Sequence, residues 1–594
     1  MSVWCLIIEH DKTIVATPFK FPCPPGSDID DLRTQLFAAK PTLAGADAPF
    51  FAVYHSATVH PGLTPTELKT VMSEVDLSRA SVALNKIVTE VVSGRELLIF
   101  QKLIPNRAFL KRSLPPSALN THERLERSKI AKLAPSDLAK ASQYPSIQKN
   151  PSERIFDDRP TPDVIVAPIS LLYRPFGEFE DIFTSEVPPK DIHVDLRKME
   201  EGVDVLAAAM SRYYNDEASR RIAGIPLLNK LLEYPIRAGD VGKSARSDGH
   251  CDVDGMISTI AEWKNGLAGI STFPHAQCVG YVAHSHVASD KVKDLCGRQT
   301  LPALAMTFID DLVQFHAIIL LGHQYRIVGL TPALSFSLWA TNVVQRKQLY
   351  NAFIAASVLQ QRIHRDLQSY ANPDPDQGQV FLRPGQFFFP SVSKILAYKG
   401  DNANEEYIKF IISDHFAGTG EGTFRNRHLY QATLRVARPG YPCGTEILVK
   451  FSRRYCMDLH DFCYNKGHAP KVLGFEKLPG GWFAIAMEYL ADAEPIACLT
   501  PEQRDEVEGL VNDFHVAGFV HGDLRSANIL FNESSKNFWL IDFDWGGEVD
   551  KVAYPTWFLH EELLNGRQSK DLIIRKADDE RILHATLNDL CQLN

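Results

Sequence analysis

Residues 521–530 read "HGDLRSANIL", and residues 541–547 read "IDFDWGG". Short apolar runs that are typical of buried strands precede both stretches, "GFV" at 518–520 and "NFWLI" at 537–541. Each stretch therefore looks like a polar loop held at the end of a strand. One motif pair near the C-terminus does not account for a chain of 594 residues, so the remaining sequence needs its own explanation.

The two stretches carry three polar residues at a spacing that suits phosphotransfer. Asp523 and Asn528 stand five residues apart, and Asp542 lies nineteen residues beyond Asp523. A carboxylate, an amide and a second carboxylate on adjacent loops converge on one point, which suits two metal-bound phosphates and one acceptor hydroxyl. Ordinary turn aspartates are the alternative, and the order of the features upstream disfavours it.

Upstream segments supply the other parts of a phosphotransferase in the expected order. "GTGEGT" precedes the strand-like "LYQATLRV", "EILVKF" predicts a buried strand, and "MEYL" is typical of the strand-to-hinge segment that holds adenine. Alone, the glycines are equally typical of a surface turn, and the lysine of an edge strand with its head group in solvent. The candidate cofactor-binding residues are Gly418, Gly420, Gly422, Lys450 and Glu488.

At these residues the region 405–594 resembles a protein-kinase-like fold. "HGDLRSANIL…IDFDW", with "GHAPKVLGF" and "GGWFAIAMEYL", is similar to the fungal and crinkler-associated kinase-like domains. The resemblance implies that Asp523 is the catalytic base and that Asn528 and Asp542 ligate Mg²⁺. It also implies that Lys450 holds the phosphates of ATP.

The same region departs from the regulated protein kinases. Gly522 replaces the usual arginine, as in aminoglycoside- and choline-kinase relatives, and the metal-binding triplet at 542–544 is "DFD" rather than "DFG". "YCMDLHDFCYN" lacks the glutamate that pairs with the phosphate lysine, so Asp458 or Asp461 is expected to pair with Lys450. No "APE" follows, and the remaining chain leaves a short C-terminal lobe. These departures favour a site without activation-loop control, and they leave weak or vestigial catalysis as an alternative.

"EWK" at 262–264 indicates a second candidate site. Magnesium-dependent nucleases of the PD-(D/E)xK type hold the metal near the scissile phosphate with an aspartate and a glutamate from neighbouring strands. They also need a lysine two residues after the glutamate, on the same strand face, to polarise the attacking water. Glu262 and Lys264 have that spacing, and Asp248 and Asp254 are the upstream acids. Alone, E-x-K is more typical of an exposed strand pair.

Neighbouring features strengthen this second site: a preceding helix with Glu200 and Glu201, the upstream acids, and Gln277 in the helix-opening "PHAQCVGY". The stretch 175–340 resembles the restriction-endonuclease-like domain that precedes kinase-like domains in crinkler-type proteins. That likeness makes Asp248 the first metal ligand, with the other aspartate as the alternative, and it implies Mg²⁺ and a DNA substrate. Across both sites, the candidate catalytic residues are Asp248, Asp254, Glu262, Lys264, Gln277 and Asp523, and the candidate metal ligands are Asp248, Glu262, Asn528 and Asp542.

The first hundred residues alternate between strand and helix patterns. "VWCLIIEH", "IVATPFKFP", "PFFAVYHS" and "RELLIFQKLIP" predict strands, and "DIDDLRTQLFAAK" predicts a helix behind Ser27 and Asp28. This order is that of a β-grasp, ubiquitin-like fold. With Trp4, Cys5 and Leu6 at its opening, it resembles the ubiquitin-like N-terminal domain of crinkler effectors, which implies delivery or protein contact. A plain interaction domain is the alternative.

The chain is too long for one hydrophobic core, so several domains are expected. We predict a ubiquitin-like header domain at 1–104, a linker with room for one short helix at 105–168, a PD-(D/E)xK nuclease-like domain at 169–375 and a protein-kinase-like domain at 380–594. The predicted fold class is multidomain, α+β and α/β: a β-grasp ubiquitin-like domain, a restriction-endonuclease-like α/β core and a bilobal kinase-like C-terminal domain.

Composition excludes some classes of protein. Hydrophobic residues are 45% and charged residues 23%, an ordinary globular balance rather than a disordered or fibrous one. The net charge of −9 argues against nucleic-acid affinity spread over the whole surface but leaves room for one basic groove. The ten cysteines show neither CxxC nor Cys/His metal spacing, which indicates reduced thiols and an intracellular working environment.

No apolar run approaches the roughly 20 residues that span a bilayer, and the N-terminus lacks the regions of a secretory signal. Stable membrane association is therefore not expected. The resemblance implies an effector that is secreted by a non-classical route and acts in a host cell, in its nucleus, where it causes damage or cell death. Its partners would be DNA as substrate and host proteins.

Three functions remain in competition. The first is a Mg²⁺-dependent DNase that the kinase-like domain regulates or supports. The second is an ATP-dependent protein kinase whose middle domain is a non-catalytic scaffold. The third is a pseudo-enzyme that acts by protein interaction alone.

Overall fold

The computed structural model describes residues 2–8, 19–22, 51–55, 97–102, 121–159, 166–185, 191, 194–242, 245–266, 272–371, 386–398, 407–416, 428–496, 499–532, 534–557 and 559–591. The chain divides into two compact units, Met1–Ala118 and Leu119–Asn594. The Gly-rich cradle predicted at Gly418, Gly420 and Gly422 lies outside the described residues, as does the helix predicted from "DIDDLRTQLFAAK".

The N-terminal unit contains a mixed sheet of short strands: β1 (Ser2–Ile8), β2 (Phe19–Pro22), β3 (Phe51–His55) and β4 (Leu97–Lys102). Among its described residues the strand order is β2-β1-β4-β3, with β1 parallel to β4 and the outer pairs antiparallel. Buried Cys5 lies between Phe19 and Leu98 at the centre of the sheet. Strands are thus present where the sequence predicts them, and the ubiquitin-like fold itself stays a prediction.

The second unit opens with short helices, α1 (Thr121–Arg127), α2 (Lys129–Lys132), α3 (Pro135–Leu138) and α4 (Tyr144–Gln148). Leu125, Leu138 and Ile147 are buried in the core of this unit. The linker predicted for 105–168 therefore differs from the structure from Thr121 onward. These helices are too short to show a clear helical period in the sequence, and packing orders them.

The middle domain alternates helices with the strands of one sheet. Its described helices are α5 (Ile169–Leu172), α6 (Arg174–Ser185), α7 (Leu196–Met210), α8 (Glu217–Leu228), α9 (Pro274–Ala288), α10 (Asp290–Leu295) and α11 (Val343–Ala371). Its described strands are β5 (Arg237–Val241), β6 (Ala245–Val253), β7 (Met256–Lys264), β8 (Leu301–Ile309), β9 (Leu312–Leu321), β10 (Gln324–Gly329) and β11 (Leu334–Ser335). Asp195 and Asp216 cap α7 and α8, each accepting a hydrogen bond from a backbone N–H in the first turn.

The sheet of the middle domain has the order β10-β9-β8-β7-β6-β5, with β11 beside β9. Strands β7 and β8 are parallel, and α9 forms the crossover between them, while the other neighbouring strands are antiparallel. Every residue of β7 from Met256 to Trp263 is buried, which requires cover on both faces of the sheet, and α9 and α11 both contact β7. Strand β7 is thus enclosed by its neighbours β6 and β8 in the sheet and by the helices α9 and α11.

The C-terminal domain begins with a lobe of strands and one helix: β12 (Lys394–Leu396), β13 (Tyr407–His415), β14 (His428–Leu434), β15 (Glu446–Ser452), α12 (Met457–Asn465), β16 (Val472–Leu478) and β17 (Trp482–Glu488). The strand order is β12-β13-β14-β15-β17-β16, and a bridge between Ala397 and Gly474 joins the two ends of the sheet. A Cβ on Gly474 would lie only 2.5 Å from Ile408, so glycine permits this closure.

The second lobe follows with β18 (Glu494–Pro495), α13 (Pro501–Val516), β19 (Phe519–Val520), β20 (Ile529–Asn532), β21 (Asn537–Leu540), β22 (Gly547–Glu548), α14 (Glu561–Leu564) and α15 (Lys576–Cys591). Thr500 and Gln503 form a reciprocal capping box at the start of α13. The pairs β20–β21 and β19–β22 hold the two stretches 521–530 and 541–547 side by side.

The first lobe and the middle domain share one hydrophobic core. On β15, Val449 and Phe451 point into that core, while Lys450 between them points to the opposite face. The buried indole N–H of Trp482 on β17 donates to the hydroxyl of Ser170 in α5 at 3.1 Å. The second lobe has its own core around α13 and α15. In the part of the chain that the structure describes, no helix combines the length and apolar character needed to cross a bilayer.

Two candidate active sites

The middle domain brings an aspartate, a glutamate and a lysine together across two strands. Glu262 and Lys264 lie two apart on β7 and share a strand face, and Lys264 Nζ lies 2.6 Å from Glu262 Oε1. Asp248 lies on the neighbouring β6, where its Oδ2 accepts a hydrogen bond from the backbone N of Trp263 at 3.1 Å. The residues predicted as metal ligands and water-polarising cation therefore meet.

Glu262 is a buried acid whose pKa is raised. Its side chain is 1% exposed, and burial raises the pKa of the carboxyl to about 8, with the nearby charge of Asp248 adding to the rise and Lys264 opposing it. One carboxylate oxygen, Oε2, has no hydrogen-bond partner among the described residues. An acid in this position binds a proton or a cation readily, because either one relieves the desolvated charge.

The donor set fits Mg²⁺, which prefers carboxylate oxygens and keeps several water ligands. Asp248 and Glu262 provide carboxylate oxygens on adjacent strands. Within the described ranges no group of three or more His, Cys, Asp or Glu side chains is placed to hold a metal. Water and substrate phosphate oxygens would therefore complete the coordination, as is usual for this ion.

Two further charged residues, both on α8, border the middle site. Glu217, in the first turn of α8, places Oε2 at 3.5 Å from Lys264 Nζ. Arg221, one turn later, places Nη1 at 2.5 Å from Asp248 Oδ1. The sequence pattern pointed instead to Glu200 and Glu201 on the preceding helix. In the sequence, Asp216 indicates the start of α8, the helix that carries Glu217 and Arg221, because it is the N-cap residue of that helix.

Gln277 lies beside the same cluster on α9. Its Nε2 donates to the hydroxyl of Tyr281 at 3.1 Å. Burial, and then the charge of Glu262, raises the pKa of the Tyr281 phenol. The crossover helix therefore lines the site with an amide and a neutral phenol.

The structure leaves Asp254 outside this site. It occupies the turn between β6 and β7, at a left-handed φ of +50°, and its carbonyl accepts from Ser289 Oγ at 3.0 Å. Along β7, Glu262 lies six residues beyond the first strand residue, Met256, which is about 20 Å at roughly 3.3 Å per residue. Of the two aspartates left open by the sequence, Asp248 is therefore the one that lies beside Glu262 and Lys264.

The C-terminal site centres on Lys450 of β15. Its Nζ lies 2.5 Å from Asp542 Oδ1 and 2.6 Å from Asp544 Oδ1. Burial alone lowers the pKa of Lys450, but the two carboxylates outweigh it and raise the pKa. Burial raises the pKa of Asp544 to about 6, against the opposing effect of Lys450. These ion pairs cross from the first lobe to the second.

The prediction that Asp458 or Asp461 pairs with Lys450 is wrong. Asp461 Oδ2 accepts a hydrogen bond from the hydroxyl of Tyr398 at 2.6 Å, and Asp458 is exposed in the first turn of α12. The carboxylates come instead from the "DFD" triplet, more than ninety residues later in the chain.

The loop of "HGDLRSANIL" is held by its own side chains. Arg525 makes two hydrogen bonds to the carboxylate of Asp523, at 2.6 and 2.9 Å. Asn528 Nδ2 donates to the carbonyl of Asp523 at 3.0 Å, and Asn528 Oδ1 is a buried acceptor without a partner among the described residues. The backbone N of Ile541 donates to the Asn528 carbonyl at 3.0 Å, which ties this loop to the metal-binding triplet.

A buried acid from the last helix fixes the same loop. Asp579 of α15 is fully buried and accepts hydrogen bonds from the backbone N of His521 and of Gly522, each at 2.7 Å. His515 Nε2 lies 3.1 Å from the same carboxylate. Gly522 has a φ of +82°, a conformation that glycine adopts without strain. The sequence pattern did not reveal Asp579, whose signal was an acidic first turn in an otherwise amphipathic helix.

The remaining predicted residue, Glu488, ends β17. Its backbone N donates to the carbonyl of Lys471 at 2.9 Å. Asp542 and the free oxygen of Asn528 are oxygen ligands of the kind that Mg²⁺ prefers, and Lys450 is a cation suited to nucleotide phosphates. The residues present therefore fit Mg²⁺ and ATP.

Comparison with known proteins identifies kinase-like sequence in this part of the chain. Residues 485–553, from β17 to just beyond β22, match the model of the lipopolysaccharide kinase (Kdo/WaaP) family. The matched segment contains Asp523, Asn528 and Asp542, the residues that meet in the structure.

Two curated archaeal proteins share a similar short segment. The chain is 38% identical over 76 residues to a probable bifunctional tRNA threonylcarbamoyladenosine biosynthesis protein of Methanospirillum hungatei, over 13% of this chain and 14% of that protein. It is 44% identical over 62 residues to the protein of the same description from Methanosarcina barkeri, over 10% and 11%. The chain thus spans only about a seventh and a ninth of the length of these relatives.

Among solved structures, the Cydia pomonella granulovirus kinase PK-1 aligns with 31% of this chain and 69% of its own, at 13% identity and a TM-score of 0.24. That likeness is too weak to argue from. The match to the lipopolysaccharide kinase family and the meeting of Lys450, Asp523, Asn528 and Asp542 carry the conclusion that the C-terminal region is kinase-like.

Proposed function

We propose that this chain is a two-site effector enzyme of the crinkler type. The middle domain cleaves DNA with Mg²⁺, and the kinase-like domain binds ATP and Mg²⁺ and regulates or supports the cleavage. One observation carries the proposal: Asp248, Glu262 and Lys264 meet on two adjacent strands, and the buried Oε2 of Glu262 has no hydrogen-bond partner among the described residues.

The proposed roles follow from this geometry. Bound Mg²⁺ would supply charge neutralisation at the scissile phosphate. Asp248 and Glu262 hold their oxygens on neighbouring strands and present them together. Lys264 Nζ, on the same strand face, orients the attacking water and stabilises negative charge on the phosphate. Gln277 and Tyr281 position groups beside Glu262 from the crossover helix.

Cations beside the site support a nucleic-acid substrate. Arg246 is exposed on β6 and shares a strand face with Asp248, two residues later. Arg221 lies against Asp248 itself. Phosphate contacts by such residues supply most of the sequence-independent affinity for DNA, and that affinity falls as salt rises.

A cleavage assay on plasmid DNA tests the proposal. Glu262→Ala and Lys264→Ala should each abolish cleavage in Mg²⁺, and EDTA should abolish cleavage by the wild type. Glu201→Ala is the matched control, because Glu201 is an exposed acid that pairs with Arg197 on α7. Cleavage at the wild-type rate by both Glu262→Ala and Lys264→Ala would disprove the nuclease.

Phosphotransfer to protein is a second candidate function. It is favoured by the pairing of Lys450 with Asp542 and by the open Oδ1 of Asn528, which prepare the C-terminal site for a metal-bound nucleotide. In this reading Asp523 is the general base and the middle domain is a scaffold. Loss of a general base typically costs about 10²–10⁴ in rate, so Asp523→Ala should remove autophosphorylation. Failure of the wild type to bind ATP with Mg²⁺ excludes this function.

We further propose the setting that the crinkler resemblance implies: secretion by a non-classical route, entry into a host cell and action in its nucleus on DNA, with host proteins as partners. The N-terminal unit would serve delivery or protein contact. Host toxicity of Glu262→Ala and of Asp523→Ala tests both catalytic readings. Toxicity that survives the two substitutions combined would favour the third reading, a pseudo-enzyme that acts by interaction.

A further inference from the structure

A lysine that holds nucleotide phosphates must itself be held, because its long side chain otherwise samples many rotamers. In protein kinases a glutamate on the helix after the lysine strand does this. Here that helix is α12, and neither of its acids reaches Lys450: Asp461 binds the hydroxyl of Tyr398, and Asp458 is exposed. The anchor must come from elsewhere.

Asp544 lies at ion-pair distance from Lys450, and the hydrogen bond of the lysine goes to Asp542. Asp544 Oδ1 lies 2.6 Å from Lys450 Nζ, with the lysine side chain 11% exposed. It occupies the third position of "DFD", where the usual triplet has a glycine and therefore no side chain. The lysine thus contacts two carboxylates from one triplet, because Asp542 Oδ1 also lies 2.5 Å away.

The backbone around Asp544 is held in place by α12. The backbone N of Cys456, the N-cap residue of that helix, donates to the carbonyl of Phe543 at 3.0 Å. The ring of Phe543 stacks on buried His460 of the same helix, with the ring centres 4.6 Å apart. Helix α12 therefore contributes through the triplet's backbone and through Phe543, and the charge comes from Asp544.

We propose that Asp544 is the positioning residue for Lys450, in place of a helix glutamate. This rests on the proposed nucleotide-binding function of the C-terminal site. The two carboxylates then have separate tasks: Asp542 would hold Mg²⁺, and Asp544 keeps Lys450 aimed at the phosphates. Because anchor and metal ligand belong to one triplet, a swing of α12 is not needed to assemble the site.

Nucleotide binding by the full chain tests this proposal. Affinity for ATP in Mg²⁺ is measured by calorimetry for the wild type, Asp544→Asn, Lys450→Met and the double variant. Asp544→Asn keeps the side-chain shape and should weaken binding about tenfold, equivalent to about 1.4 kcal/mol. Asp544→Glu should recover part of this loss. Asp461→Asn is the matched control on α12 and should bind ATP as the wild type does.

The double variant separates positioning from a general structural role. If Asp544 acts through Lys450, adding Asp544→Asn to Lys450→Met should weaken ATP binding no further, because coupled residues are not additive. Unchanged binding by Asp544→Asn, or a multiplied loss in the double variant, overturns the proposal. A wild-type chain that binds no ATP in Mg²⁺ overturns instead the proposed function on which it rests.

Discussion

The two candidate sites each hold a lysine against carboxylates, yet they are built in opposite ways. Lys264 and Glu262 lie on one strand, and Asp248 lies on the next strand of the same buried sheet. Lys450 lies on the first lobe of the C-terminal domain, whereas Asp542 and Asp544 belong to the second lobe. One sheet therefore places the two carboxylates and the lysine of the middle site, with α8 and α9 beside them. The C-terminal site depends instead on how two lobes meet.

The two sites also differ in the pKa values of their buried carboxyl groups. Glu262 is an acid whose pKa is raised to about 8 and whose Oε2 has no partner among the described residues. Burial raises the pKa of Asp544 to about 6, against the opposing charge of Lys450. A bound metal ion stabilises a buried carboxylate that has too little positive charge beside it.

The largest expected effect tests whether the two sites work independently. Lys264→Ala should lower the rate of plasmid cleavage by about 10²–10⁴, as loss of a positioned catalytic group does, while ATP binding stays intact. Lys450→Met should strongly weaken ATP binding and, because the kinase-like domain is proposed to regulate or support cleavage, should also change the cleavage rate. The measurements are plasmid cleavage and ATP calorimetry on the same protein samples. Loss of cleavage in Lys450→Met would show that an intact nucleotide site is required for the nuclease.

The next largest effect concerns the loop at 521–530, which Asp579 of the second lobe holds in place. Asp579→Ala leaves the buried N–H groups of His521 and Gly522 without an acceptor, at about 1–3 kcal/mol each. We expect the free energy of unfolding, measured in urea, to fall by about 2–6 kcal/mol. Glu580→Ala, at an exposed neighbour on α15, is the control. Equal stability of the two variants would contradict the assigned role of Asp579.

A pH series measures the difference in carboxylate charge between the sites. The folded-state pKa of Glu262 is raised to about 8, above its unfolded value, so its contribution to stability is present at low pH and is lost as pH rises toward 8. In EDTA, the stability of Glu262→Gln relative to the wild type should therefore increase from about pH 4.5 to pH 8. Urea unfolding at several pH values measures this. A constant difference across that window would contradict the raised pKa.

The smallest effect concerns the contact between the middle domain and the first lobe. Ser170→Ala removes the acceptor of the buried Trp482 indole N–H, which should cost about 1–3 kcal/mol. Because the two regions share one core, the whole transition should shift together in urea. Ser146→Ala, at an exposed serine, serves as the control. A shift confined to one of two separate transitions would show that the core is not shared.

Local patterns predicted local features well. Glu262 and Lys264 share a face, as their spacing predicts, because side chains on a strand repeat every two residues. The kinase-like character of the C-terminal region, predicted from 521–547, is confirmed at that level by the family match. DNA cleavage and the effector role stay predictions.

What the sequence did not reveal depends on contacts between distant segments. The choice between Asp248 and Asp254 needed the position of the β6–β7 turn, which composition does not determine. The pairing of Lys450 with Asp544 needed the meeting of two lobes, and the role of Asp579 needed the docking of the last helix. Such contacts arise from tertiary packing rather than from local propensity.

The shared core has a consequence for the history of the chain. Val449 and Phe451 belong to one hydrophobic core with buried residues of the middle domain. A recombination event between 371 and 386 that exchanged only the kinase-like half would uncover part of that core and leave the buried indole N–H of Trp482 without Ser170 as its acceptor. A chain that kept only the middle domain or only the kinase-like domain would need polar substitutions on the newly exposed surface. The two domains are therefore expected to be inherited, and lost, together.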